Sequence, residues 1–139
     1  MEKVAIVTGS SSGIGYETAL ALARDGFYTF ATVRNLKKAD KILQVAKKEN
    51  LNIEIIELDV DDEKSISAAV EKILAKKQRI DVLVNSAGWG LFGSVEDVSM
   101  KDFRAQFETN FFGIISIIQK VAPIMRKQGA GVIVNVSSV

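Results

Sequence analysis

The stretch Val4-Ala5-Ile6-Val7-Thr8-Gly9-Ser10-Ser11-Ser12-Gly13-Ile14-Gly15 decides how the rest of the chain is read. Its apolar, mostly β-branched start predicts a short buried strand over residues 4–8 that stops at Gly9. Tyr16, Ala19, Leu20, Leu22 and Ala23 then recur at helical spacing as far as Asp25-Gly26. A glycine-rich turn between a first strand and a first helix is where backbone amides and a helix N-terminus can cradle a pyrophosphate. On this reading Gly9 permits the tight turn, Gly13 lets phosphates approach the main chain, and Gly15 lets the helix pack close to the sheet. The spacing is G-x-x-x-G-x-G rather than G-x-G-x-x-G, and the Lys of a P-loop is missing. A Gly/Ser loop that only turns a corner is the competing reading, and placement directly after the first strand weighs against it.

Working outward, the aromatic and β-branched residues 27–33 predict a second strand, and the Lys-rich residues 38–49 a helix closed by Asn50. Residues 53–58 read as a third strand running into Asp59-Val60-Asp61-Asp62, whose acidic end caps a helix over Glu63–Lys77. Residues 81–85 predict a fourth buried strand, and Ser99 with Asp102 forms a capping box for a long helix over residues 100–127 that Pro123 should kink. Gly129 and Gly131 end that helix before a fifth strand at residues 132–136. Strands alternating with helices predict an α/β fold: a Rossmann-like doubly wound parallel sheet of about five strands, ordered 3-2-1-4-5 and covered on both faces. Such a sheet binds ligands beyond the carboxyl ends of its strands, here Thr8, Val33, Asp59, Asn85 and Ser137.

Composition narrows the chemistry that this edge can carry. The 139 residues suit one ordinary domain, and 18 Lys plus Arg against 17 Asp plus Glu give a net charge of +1, which implies neither a nucleic-acid nor a membrane partner. Zero Cys and zero His leave no thiolate nucleophile, no imidazole base and no metal site to predict, so catalysis would fall to Ser, Tyr, Lys, Asn or carboxylates. No apolar run approaches the ~20 residues that span a bilayer, and Met1-Glu2-Lys3 leads straight into the first strand, so a cytoplasmic location is expected.

The end of the second strand bears on cofactor choice. An acidic residue there would bind the ribose 2′-hydroxyl of NAD, but the chain reads Thr32-Val33-Arg34-Asn35. Arg34 could instead pair bidentately with a 2′-phosphate, which favours NADP over NAD; the alternative is a solvated loop arginine. Asp59 could accept a hydrogen bond from the adenine amino group or cap the turn that follows it.

Four segments in this order, TGSSSGIG (residues 8–15), LDV (58–60), NSAG (85–88) and VNVSS (134–138), resemble the short-chain dehydrogenase/reductase family along the whole chain. The resemblance implies a dinucleotide seat at Thr8, Gly9, Ser11, Ser12, Gly13, Ile14 and Gly15, continued by Arg34, Asp59, Val60, Asn85, Ala87 and Gly88. It further implies catalytic roles for Ser138, hydrogen-bonded to a substrate oxygen, and for Asn110, holding a water in a proton relay; Ser137 competes for the first role. Without the resemblance, Ser138 reads as a hydroxyl at a strand end and Asn110 as a helix amide satisfied by nearby backbone. Ser86 departs from the family, which usually repeats Asn there.

The family's Tyr-x-x-x-Lys motif would follow the Ser by roughly a dozen residues, past Val139, and neither Tyr16 nor Tyr28 can replace its Tyr. Residues 1–139 are therefore expected to be the N-terminal part of an NAD(P)-binding domain of roughly 250 residues, inactive alone. The resemblance implies an oxidoreductase transferring hydride between NADP(H) and a small-molecule carbonyl or secondary alcohol, in a homo-oligomer (dimer or tetramer). A non-catalytic dinucleotide-binding module ending naturally at Val139 is the alternative, and a downstream Tyr-x-x-x-Lys would separate the two. An epimerase or dehydratase of the extended relatives fits less well, because those carry a G-x-x-G-x-x-G turn. Trp89, Leu91 and Phe92 suggest either an apolar approach to the nicotinamide or a plug beneath their loop, and Phe111, Phe112, Ile115 and Ile118 either core or interface.

Overall fold

Every residue of the first strand, β1 (Val4–Val7), is fully buried, as expected of a strand with neighbours on both edges and layers on both faces. In the computed structural model, which describes residues 1–138, it pairs in parallel with β2 (Tyr28–Val33) on one side and β4 (Val82–Asn85) on the other. The strands β3 (Ile53–Glu57) and β5 (Val132–Asn135) complete a parallel sheet in the order β3-β2-β1-β4-β5, as the sequence predicts. Val139 lies outside the described residues.

Helices cover both faces. On one, Ile6, Phe30, Ile56 and Leu83 pack against Ile66 and Ile73 of α3 (Glu63–Lys77) and Ile117 and Val121 of α5 (Gly113–Gln128). On the other, Val7, Ala31 and Val84 meet Tyr16 and Leu20 of α1 (Gly13–Arg24) and Ile42 of α2 (Asp40–Glu49). Local chemistry sets the helix ends: Asp62 Oδ1 accepts from Lys64 N–H at 2.9 Å, and Ser99 Oγ accepts from Asp102 N–H at 3.1 Å, opening α4 (Met100–Phe107). Asn50 and Gly129 end α2 and α5 in the left-handed conformation, at φ of 53° and 78°. Val132 and Val134, opposite Val82 and Val84 on the outer strand, stay about half exposed. Among the described residues no helix is long and apolar enough to cross a membrane.

Two expectations need correction. The single long helix predicted over residues 100–127 is two helices joined by a wide π-turn at Glu108–Phe112, and α2 begins at Asp40, after a short 3-10 turn at Leu36–Lys38. The irregular turn lies before Pro123, which falls inside α5. Its cause is tertiary: the turn presents two consecutive side chains, Thr109 and Asn110, to the loop after β4, and Gly113 next to it lets the backbone approach Val60, whose Cβ a methyl group at 113 would meet at 3.0 Å.

The amino end of the sheet is tied by Asp81. Its Oδ2 accepts from Val4 N–H and from Arg79 Nε, both at 2.8 Å, and its Oδ1 accepts from Arg79 Nη2 at 2.5 Å. The Arg79 hydrogen bonds hold the carboxyl below the usual aspartate range; partial burial opposes this, and the Val4 N–H adds to the lowering. Because the folded-state value is depressed, the stability it contributes is complete above the ordinary value of 3.8 and is lost as pH falls through the folded value. Urea midpoints measured from pH 6 down to pH 2 should therefore fall less steeply for Asp81→Asn than for the native chain, from a lower starting stability. Parallel curves would refute this assignment.

Candidate functional site

The carboxyl ends of β1 to β4 open into one cleft of about 630 Å³, whose lining includes Gly9, Arg34, Asp59 and Gly88. The glycine turn forms its floor. Gly9 and Gly13 adopt φ of +65° and +60°, which favours glycine at both. A Cβ at Gly9 would come within 2.8 Å of Ala87 Cα, so that glycine serves the close approach of two loops. A Cβ at Gly13 would meet nothing within 4 Å, which leaves open space above its backbone. At Gly15 a Cβ would lie 2.2 Å from the Gly9 carbonyl oxygen, so α1 packs on the turn itself as well as beside the sheet. Ser12 is the extended N-cap of α1 and makes no side-chain cap bond, and Ile14 just inside the helix is exposed.

Thr8 acts as a fastener for this floor. Buried at the end of β1, its Oγ1 accepts from Ser86 N–H and Ala87 N–H, both at 3.0 Å, and so shapes the turn after β4. The Ser86 departure leaves this fastener intact, since only the residue's main chain takes part. Asn85, also buried, donates from Nδ2 to Asn135 Oδ1 at 2.9 Å along the β4–β5 register, while its own Oδ1 is buried without a protein partner. Ser11 sits half-buried on the cleft wall.

The wall beyond β2 and β3 combines acidic and basic groups. Asp59 Oδ1 accepts from Asp61 N–H at 3.0 Å, so the turn-capping alternative is realised, with Val60 half-buried between them. Arg34 is exposed at the cleft beside Asn35, whose Oδ1 caps the following turn by accepting from Lys37 N–H at 3.0 Å. That turn brings Lys38 to the same wall, a second cation that sequence reading missed because it took residue 38 as the start of a helix.

Across the cleft, both ends of the Asn110 amide are engaged: Oδ1 accepts from Trp89 N–H at 3.0 Å and Nδ2 donates to the Trp89 carbonyl at 2.8 Å. The approach requires Gly88, where a Cβ would lie 2.9 Å from Asn110 Oδ1. The side chain thus anchors the loop, as the backbone-satisfied reading anticipates. Ser137 and Ser138 follow β5 at the same carboxyl edge, both exposed. Phe92 projects almost fully into solvent, so it is not a plug.

The family model of the short chain dehydrogenases matches residues 3–139, and the chain belongs to this family. It is 46% identical over 140 residues to the uncharacterized oxidoreductase YusZ of Bacillus subtilis (strain 168), covering 99% of this chain and 49% of that protein. Among solved structures it superposes on gox2181 with a TM-score of 0.95 at 30% identity, covering 99% of this chain and 54% of the other. A metagenomic short-chain oxidoreductase in complex with NADP gives a TM-score of 0.93 at 30% identity over 99% of this chain and 62% of the other. The chain spans about half the length of the curated relatives it matches.

Proposed function

We propose that residues 1–139 are the nucleotide-binding part of an NADP-dependent oxidoreductase that moves hydride between the cofactor and a small-molecule carbonyl or secondary alcohol. One observation carries this reading: the glycine turn that leads into α1 shares, through Gly9 and Ser11, a cleft with the cations Arg34 and Lys38, which could pair with a 2′-phosphate. The donor set fits the group, since backbone N–H groups at a helix N-terminus suit a pyrophosphate and a guanidinium suits a phosphate monoester. The NADP complex of a structural relative supports the same assignment.

In the assembled site, Gly9 to Gly15 would hold the pyrophosphate and Asp59 would offer its second carboxylate oxygen to the adenine amino group. The bound nicotinamide supplies or accepts the hydride. Ser138 would donate a hydrogen bond to the substrate oxygen as charge develops there, and Asn110 holds the loop that borders the reacting centre. Homo-oligomer formation through α4 and α5 belongs to the same proposal; Phe107, Phe111 and Phe112 form an exposed aromatic run there.

Titration of the whole protein with NADPH and NADH tests the cofactor assignment. NADPH should bind more tightly, and Arg34→Ala should weaken it by about 1.5–3 kcal/mol while barely changing NADH. Tighter binding of NADH by the native protein would overturn the NADP assignment.

A further inference from the structure

Trp89, the chain's single tryptophan, is held by four hydrogen bonds. Three involve its main chain, two with the Asn110 amide and a longer one from Gln106 Nε2 at 3.4 Å, and would serve any residue at this position. The fourth depends on the side chain: the indole Nε1–H donates to Thr109 Oγ1 at 3.1 Å. The Thr109 hydroxyl has one proton to give, and its short contact is with Asp61 Oδ2 at 2.9 Å, against 3.5 Å to the Ala105 carbonyl. Asp61 in turn donates its N–H to Asp59 Oδ1. Every bond in this chain points the same way, from the indole through a buried hydroxyl to a carboxylate on the adenine-side loop, and a charged terminal acceptor strengthens it.

Trp89, Thr109 and Asp61 all line the cleft, so the chain of bonds crosses it from the loop after β4 to the loop after β3. Nothing else in the helix requires a hydroxyl at 109; a valine of the same shape would fill the buried space equally well. We propose that Thr109 is a positioning residue for the cofactor: it fixes the Trp89 indole against the Asp59–Asp62 loop, so that the cleft is preset in width before a dinucleotide enters. This rests on reading the cleft as a dinucleotide seat.

Trp89 itself reports on the arrangement, because it supplies all the tryptophan emission of residues 1–139; any tryptophan elsewhere in the whole protein is first replaced by phenylalanine. In the ligand-free protein, Thr109→Val should shift the emission to longer wavelength as the freed indole meets water, while Thr109→Ser should keep the native spectrum. The dissociation constant for NADPH should rise about three- to ten-fold in Thr109→Val and return to near the native value in Thr109→Ser. Trp89→Phe, which keeps an aromatic ring but removes the N–H, should give the same rise, read from NADPH fluorescence, and it decides the matter if the valine variant does not fold. Native emission together with native NADPH affinity in Thr109→Val would overturn the proposal, as would an unchanged affinity in Trp89→Phe. A native protein that binds neither NADPH nor NADH would sink the dinucleotide reading instead, and with it the cofactor role of Thr109, even if the emission shift persisted.

Discussion

Gly15→Ala is expected to abolish measurable dinucleotide binding and to lower stability by about 3 kcal/mol. The added Cβ would sit 2.2 Å from the Gly9 carbonyl oxygen, 2.8 Å from its carbonyl carbon and 2.9 Å from the Thr8 carbonyl oxygen. These are backbone atoms at the end of a fully buried strand, so relief must come from moving α1 away from the turn. That movement would displace the first N–H groups of the helix from any phosphate they bind. Gly13→Ala provides the control for folding: its methyl group meets no protein atoms, so its cost in stability is the strain of a left-handed alanine, about 1–2 kcal/mol, although the methyl group would also enter the space left for the phosphates and weaken NADPH. Urea unfolding with an NADPH titration distinguishes them. A Gly15→Ala protein with native midpoint and native affinity would refute the packing argument.

The second large effect concerns Ser138. In the whole protein, Ser138→Ala should lower kcat by about 10²- to 10³-fold, the usual cost of removing one hydrogen-bond donor from a developing oxyanion, with NADPH affinity unchanged. Ser137→Ala should stay within a few-fold of native. The two serines are adjacent and both exposed beyond β5, so the paired variants assign the role without disturbing the core. A large loss in Ser137→Ala and none in Ser138→Ala would reverse the assignment. Equal, small effects in both would remove the oxyanion role from either serine, and a native whole protein with no measurable turnover would instead favour a dinucleotide-binding module without catalysis.

Much of the architecture was legible because it rests on local signals. The apolar run before Gly9, the caps at Asp62 and Ser99, and the stops at Asn50 and Gly129 each act within a few residues, and the structure reproduces them. The π-turn at Glu108–Phe112 was not legible, because the residues of that stretch are compatible with an ordinary helix. Its shape answers to partners far along the chain: Trp89 at the loop after β4 and Asp61 after β3. Thr109 and Lys38 are not legible locally either, since an amphipathic pattern does not say which polar side chain turns toward a cleft. Asn110 was found through resemblance, yet the contacts of its amide follow from Gly88 admitting it.

The Thr8 fastener has a consequence for how the site comes into being. The glycine motif occupies a few consecutive residues, but its hydroxyl clasp closes on main-chain N–H groups 78 and 79 positions away, and β1 is flanked by β4 rather than by its sequence neighbour on that side. Contacts of such long separation are entropically late events in folding. A ribosome that has released only the motif and its helix holds a sequence able to name the proposed nucleotide seat but not to build it; the Thr8 clasp can close only once the chain has emerged past Ala87.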